Sequence, residues 1–185
     1  IIINMSKGLF IFHRDFRIYD NITLNEMIEK CDKVHCCFIF NPQQVDNQNE
    51  FKSNNSIQFM VNSLNDLSNY LNEKGGSLNI FYGKPELVIK DVIKKNNINL
   101  IGFNRDYTPF AKLREKIIEN TLKNEALKNE ALKNEALKNE ALKNEALKYI
   151  ANNDYYLYEP GSILVSSTKA AYTKFTPFYN MTKNH

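Results

Sequence analysis

Gly8–Asn21, GLFIFHRDFRIYDN, decides how the rest of this chain is read. Leu9 to Phe12 are four apolar residues without alternation, the pattern of a strand covered on both faces in a parallel sheet. The run ends in a polar burst, His13-Arg14-Asp15, followed by Arg17 and then by Asp20-Asn21, which can cap a helix. In open parallel sheets ligands sit beyond the carboxyl ends of the strands, where this burst lies. A structural ion pair closing the loop would use Arg14 and Asp15 equally well.

Working outward, the same grammar repeats. Val34–Phe40 is a second apolar strand, ended by Asn41-Pro42. Residues 45–54 lack a period and read as a loop. Ile57, Met60, Val61, Leu64, Leu67 and Leu71 then follow helical spacing, with Asn55 or Ser56 as cap and Gly75-Gly76 as stop. Leu78–Tyr82 is a third strand. Gly83-Lys84 fails as a phosphate loop, because Leu78 stands where the first glycine belongs; with Pro85 it reads as a turn opening a helix. That helix carries Leu87, Val88, Val92 and Ile93 and ends at Asn96-Asn97. Asn99–Phe103 is the fourth strand, Asn104-Arg105-Asp106-Tyr107 its polar mouth, and Thr108-Pro109 opens the next helix.

Strand and helix thus alternate, and right-handed crossovers turn that order into a doubly wound, Rossmann-like α/β domain. A five-stranded parallel sheet of order 3-2-1-4-5 is expected, with Tyr155–Tyr158 as the fifth strand. Strands one and four are then neighbours at the reversal point. His13-Arg14-Asp15 faces Asn104-Arg105-Asp106-Tyr107 across one crevice.

Between them and the C-terminus, residues 122–148 repeat Leu-Lys-Asn-Glu-Ala with a period of five. All but Asn favour helix, and each Glu precedes a Lys by three residues, as in Glu125 and Lys128. Five residues advance a helix by about 140° past a full turn. Leu127, Leu132, Leu137 and Leu142 therefore spiral and form no stripe, which excludes a heptad zipper. The expectation is a long helix, as one piece over 108–149, projecting from the sheet. Beyond it, 159–164 and 172–179 read as turn and loop around Pro160-Gly161 and Pro177.

At 185 residues, 43% of them hydrophobic, the chain can bury a real core. A net charge of +3 with interspersed signs makes no nucleic-acid stripe. Cys31, Cys36 and Cys37 lack metal spacing and fit as small hydrophobes in a reducing, intracellular setting, cytoplasmic or nuclear. No window approaches a membrane span, and Met5 fits a true start.

Gly8–Asn21 also resembles the N-terminal signature of the DNA photolyase and cryptochrome family, with His13 and Phe16 as departures. Residues 52–60, Phe81-Tyr82-Gly83-Lys84-Pro85-Glu86, Asn104-Arg105-Asp106-Tyr107-Thr108-Pro109, and Pro160-Gly161-Ser162-Ile163-Leu164 with Phe175-Thr176-Pro177-Phe178-Tyr179 resemble further blocks of that family, in order. The resemblance implies an antenna-type α/β domain over 6–158, with the repeat at 122–148 as an insertion. It makes 159–185 a linker toward a FAD-binding helical domain that this chain lacks. DNA and FAD would be engaged only through that separately encoded half, and no catalytic residue is assigned here.

The same resemblance places Arg14, Asp15, Phe38, Asn41, Asp106 and Tyr107 near the antenna pocket. Arg14 would meet an anionic tail, Asp106 would accept a ring N–H, and Phe38 or Tyr107 would stack on the ring. Phe110-Ala111 replace the Asn-Glu pair of the folate-using branch, which favours a deazaflavin or flavin, or an empty pocket. Two further functions stay open: a stand-alone nucleotide- or cofactor-binding module, and a degenerate fragment whose helix only mediates contacts.

Overall fold

A computed structural model of the chain describes residues 6–136 and 147–183, and for 129–136 the backbone alone. Five strands form one parallel sheet: β1 (Lys7–Phe12), β2 (Lys33–Phe40), β3 (Leu78–Tyr82), β4 (Leu100–Arg105) and β5 (Lys148–Asn153). Their order is β3-β2-β1-β4-β5. The expected doubly wound sheet is therefore present, with β1 between β2 and β4. Phe10 pairs with Cys36 on one side and Gly102 on the other.

The helices are α1 (Ile22–Lys30), the short α2 (Pro42–Val45), α3 (Asn54–Glu73), α4 (Pro85–Asn96), α5 (Pro109–Ala136) and α6 (Phe175–Thr182). Local chemistry sets their ends. Asn21 caps α1 by accepting the Leu24 N–H, and Ser53, two or three residues before the expected Asn55 or Ser56, caps α3 by accepting the Ser56 N–H. Asn97 closes α4 in the left-handed region at φ 56°.

The pleat divides the core in two. Leu9, Ile11, Cys37, Ile39, Ile101 and Phe103 face α4 and α5, where Ile89, Val92, Ile93, Ile118 and Leu122 meet them. Phe10, Phe12, Cys36, Phe38 and Leu100 face α1 and α3 and meet Leu24, Met27, Leu64, Leu67 and Leu71. β1 and β4 are apolar on successive residues because both faces are covered. Gly102 exists for packing: a Cβ there would overlap the Met27 sulfur of α1. Cys36 and Cys37 are buried in these layers, and desolvation pushes the Cys36 thiol up to about 12.

Three expectations need correction. The fifth strand is Lys148–Asn153, not Tyr155–Tyr158. It follows that no single helix runs from 108 to 149; α5 is described to Ala136, and residues 137–146 lie outside the described residues. Helix propensity favours the repeat throughout, but its last Leu-Lys is not helical. Leu147 is buried, Tyr149 and Ala151 pack on the core, and Lys148 to Asn153 pair with the open edge of β4. At the other end of the repeat, Leu122 is buried and Leu127 exposed, as a five-residue advance requires.

Residues 172–179 are the third correction. They contain most of α6, with Pro177 in its first turn, where a missing N–H breaks no helical bond. Tyr158 Oη donates to the Thr182 carbonyl at 2.8 Å and ties this helix to the segment after β5. No helix among the described residues is long and apolar enough to cross a membrane.

Candidate functional site

The strands β1, β2 and β4 end together, and a cavity of about 610 Å³ opens beyond their carboxyl ends. Phe12, Phe16, Phe38, Phe59 and Phe110 give it an aromatic lining, and Met60, Ala111 and Ile118 extend the apolar wall. Polar groups enter from the loops: His13 and Arg14 after β1, Asn41 after β2, Asp106 after β4 and Arg114 from α5. A largely apolar chamber with a few converging polar groups is the usual form of a small-molecule site.

Arg14 and Asp106 meet across the seam, Nε to Oδ2 at 3.2 Å, with Arg14 half exposed and Asp106 buried. The Asp106 Oδ1 accepts the N–H of Tyr107 at 2.7 Å. Arg14 also lies over the Tyr155 ring, 5.0 Å from its centroid. Of the six residues singled out by sequence, Arg14, Phe38, Asn41 and Asp106 line the cavity.

Asp15 and Tyr107 do not. Asp15 is buried beneath the loop and accepts from four donors: the His13 N–H at 3.0 Å, Asn104 Nδ2 at 2.6 Å, Tyr155 Oη at 3.2 Å and Asn21 Nδ2 at 3.4 Å. Burial, followed by the Asp15 charge, raises the Tyr155 phenol, so it remains a donor to Asp15. Asn104 Nδ2 also reaches Asp154 Oδ2 at 3.1 Å, which Arg17 pairs at 2.7 Å. This network clamps the β1–α1 loop to β4 and the segment after β5. Tyr107 turns outward and packs on Tyr156, with ring centroids 5.2 Å apart.

Two cavity residues escaped the sequence-based selection. His13 is partly buried, its Nδ1 3.3 Å from the Asn104 carbonyl. That contact needs Nδ1 to carry the proton, leaving Nε2 as a bare acceptor, and Nε2 has no hydrogen-bond partner among the described residues. Burial first, and then the Arg114 charge, hold its pKa well below the usual histidine value. Arg114 is the second. Its Nε and Nη2 are buried without a hydrogen-bond acceptor, and its ion pair with Glu115 Oε1 is 3.8 Å long. Glu115 is engaged elsewhere, accepting the Asp106 N–H at 2.7 Å. The signal for Arg114 was its spacing: Phe110, Ala111, Arg114 and Ile118 share one face of α5, and only one of them is charged.

The sequence model of DNA photolyase matches residues 9–138, more than half of the chain. The chain belongs to the DNA photolyase family. Among curated relatives it is 24% identical over 126 residues to Cryptochrome DASH of Idiomarina loihiensis, covering 64% of this chain and 27% of that protein. It is 30% identical over 115 residues to Cryptochrome-1 of Sylvia borin, covering 62% of this chain and 18% of that one. Among solved structures, an archaeal photolyase from Sulfolobus tokodaii superposes with TM-score 0.72 at 33% identity over 96% of this chain and 35% of its own. That structure is described as holding two FAD molecules, with the implication of a novel light-harvesting cofactor. A class III photolyase from Agrobacterium tumefaciens shares the fold, with TM-score 0.73 at 20% identity over 98% of this chain and 32% of its own. This photolyase-family chain thus spans about a quarter or less of the curated relatives named and about a third of the solved ones.

Proposed function

We propose that this chain is the light-harvesting part of a photolyase-like protein and that its cavity holds an aromatic antenna chromophore. An FAD-binding helical half would supply the light-driven repair of pyrimidine dimers, with residues 159–185 leading toward it. The cavity carries this reading. It lies at the reversal point of the sheet, is walled by five phenylalanines, and has the Arg14–Asp106 pair at its rim. A flat conjugated ring gains from such a lining by stacking and by leaving water. Phe110 and Ala111 are apolar parts of the wall, which favours a flavin or deazaflavin over a folate.

When bound, the chromophore would absorb light and pass excitation to FAD in the helical half. The protein's share is to hold and orient it. Phe38, buried on β2 and edge-on to both Phe16 and Phe40, presents a fixed surface. Asp106, anchored by the Tyr107 N–H, offers a carboxylate oxygen to a ring N–H, and Asn41 offers an amide from the end of β2.

The test is an absorption spectrum of the purified chain, alone and after incubation with FMN or a deazaflavin. A retained near-UV or blue band is expected. Arg14→Ala and Asp106→Ala should each lower occupancy several-fold without loss of the far-UV circular dichroism of the sheet. Unchanged occupancy in both variants would move the ligand out of this cavity. A pigment-free chain that also takes up neither compound would leave the alternative, a binding module of the same fold without a repair role.

A further inference from the structure

We propose that the outer edge of β3 is a self-association surface, where two copies of this chain pair antiparallel about Ile80 into one continuous sheet. The inference is independent of the chromophore reading. β3 stands at the end of the strand order and pairs with β2 alone among the described strands. One contact fixes which way its main chain faces. The Gly83 N–H donates to the Phe40 carbonyl, and Phe40 is the register partner of Tyr82. Gly83 therefore turns its amide to β2, and by alternation so do Asn79 and Phe81. The N–H and C=O groups of Leu78, Ile80 and Tyr82 point away from the sheet, where no described segment pairs with them.

An open edge normally carries a guard: a charge, a proline, a bulge or a covering loop. Leu78–Tyr82, LNIFY, has neither charge nor proline, and it pairs with β2 in unbroken register. Leu78 packs into the layer under α1 and α3 and Phe81 into the opposite one. The pleat thus sets Ile80 and Tyr82 on the α3 side, where they are 49% and 63% exposed. The symmetry of the strand names its partner. A two-fold axis at Ile80 opposes Ile80 to itself and Leu78 to Tyr82, so each outward N–H meets an outward C=O. The facing side chains are then apolar against apolar, the contact that stabilises neighbouring strands. Charge agrees with the antiparallel direction. Glu73 and Lys74 precede the Leu78 end, whereas Lys84 and Asp46, which accepts from Tyr82 Oη at 2.8 Å, flank the Tyr82 end. Antiparallel pairing turns the acid and base of one end toward the base and acid of the other. An edge of five residues buries less than a standard interface, so the dimer is weak and forms with concentration.

Sedimentation velocity of the purified chain across a hundredfold range of concentration tests this. The mass should approach that of a dimer and rise no further, because the two-fold axis uses up the edge. Amide exchange at Leu78, Ile80 and Tyr82, free in dilute solution, should slow at least threefold at the upper end. Ile80→Lys opposes two like charges at the axis and should weaken the dimer at least tenfold. Ile80→Pro removes an N–H that no bond within the chain uses and should do the same, with circular dichroism checking that both variants are folded. Ile80→Cys should yield a disulfide-linked dimer on oxidation, since an opposed hydrogen-bonded pair holds its Cα atoms about 5.5 Å apart. Tyr82→Cys, which faces Leu78 of the other copy, should yield no more than the parent chain. A dimer that both Ile80→Lys and Ile80→Pro leave intact, equal cross-linking of the two cysteine variants, or growth beyond the dimer overturns the proposal. A chain monomeric throughout also overturns it and leaves the edge to an extended segment of another protein.

Discussion

Asp15 shows how a charged residue in a cleft can serve the site without touching a ligand. Four donors converge on its carboxylate, from His13, Asn104, Tyr155 and Asn21, and they tie three separate segments to one point. Asp15→Ala would leave those donors buried and unmatched, and should cost about 2–4 kcal/mol in urea unfolding. Arg14→Ala, whose side chain is half exposed, should cost under about 1 kcal/mol in the same assay. His13 adds a pH dependence. Its folded pKa lies below its unfolded value near 6.5, so above that pH both states are neutral and it contributes nothing to the slope. As pH falls below 6.5 the unfolded chain takes up the proton first, and stability is lost until the folded pKa is reached. His13→Gln should lack this component, read as a smaller difference in urea midpoint between pH 7.5 and 5 than in the parent chain.

Among the elements, α1 crosses close over β1 and β4, where Gly8 and Gly102 leave no room for a Cβ. Gly102 admits the Met27 thioether directly over the strand, with Thr23 beside it. Gly102→Ala should destabilise by about 1–3 kcal/mol through overpacking, and Met27→Ala in the same chain should restore part of it. Denaturation of the two single variants and the double variant measures the coupling, and strict additivity would show that the contact is not the cause. The repeat carries the opposite lesson. Its composition favours helix at every copy, yet its last two residues, Leu147 and Lys148, lie outside a helix, because an unpaired strand edge and a place for Leu147 in the core outweigh a few tenths of a kcal/mol per residue. Pro177 follows the same rule: by local pattern it is a breaker, and in the first turn of α6 it breaks nothing.

At the scale of the molecule, stability should grade outward from β1. Leu9–Phe12 are fully buried between two layers, whereas Asn79, Ile80 and Tyr82 of the edge strand β3 are exposed. Amide exchange should therefore be slowest in β1 and β4, near the global unfolding limit, and at least tenfold faster in β3; equal protection would mean the sheet opens only as a whole. Much of this plan was legible in the residues. Unalternating apolar runs mark buried parallel strands, and caps and glycines mark helix ends. The alternation of strand and helix leaves few topologies once crossovers are right-handed, so the seam between His13-Arg14-Asp15 and Asp106 followed directly. What local pattern could not assign was the use of each polar group at that seam. Arg14, Asp15 and Arg114 are alike to any reading of period or propensity. Tertiary contacts alone put a counter-charge on Arg14, four donors on Asp15 and no acceptor on two nitrogens of Arg114. Periodicity reports which face is buried, whereas the role of a buried charge depends on which distant segments arrive beside it.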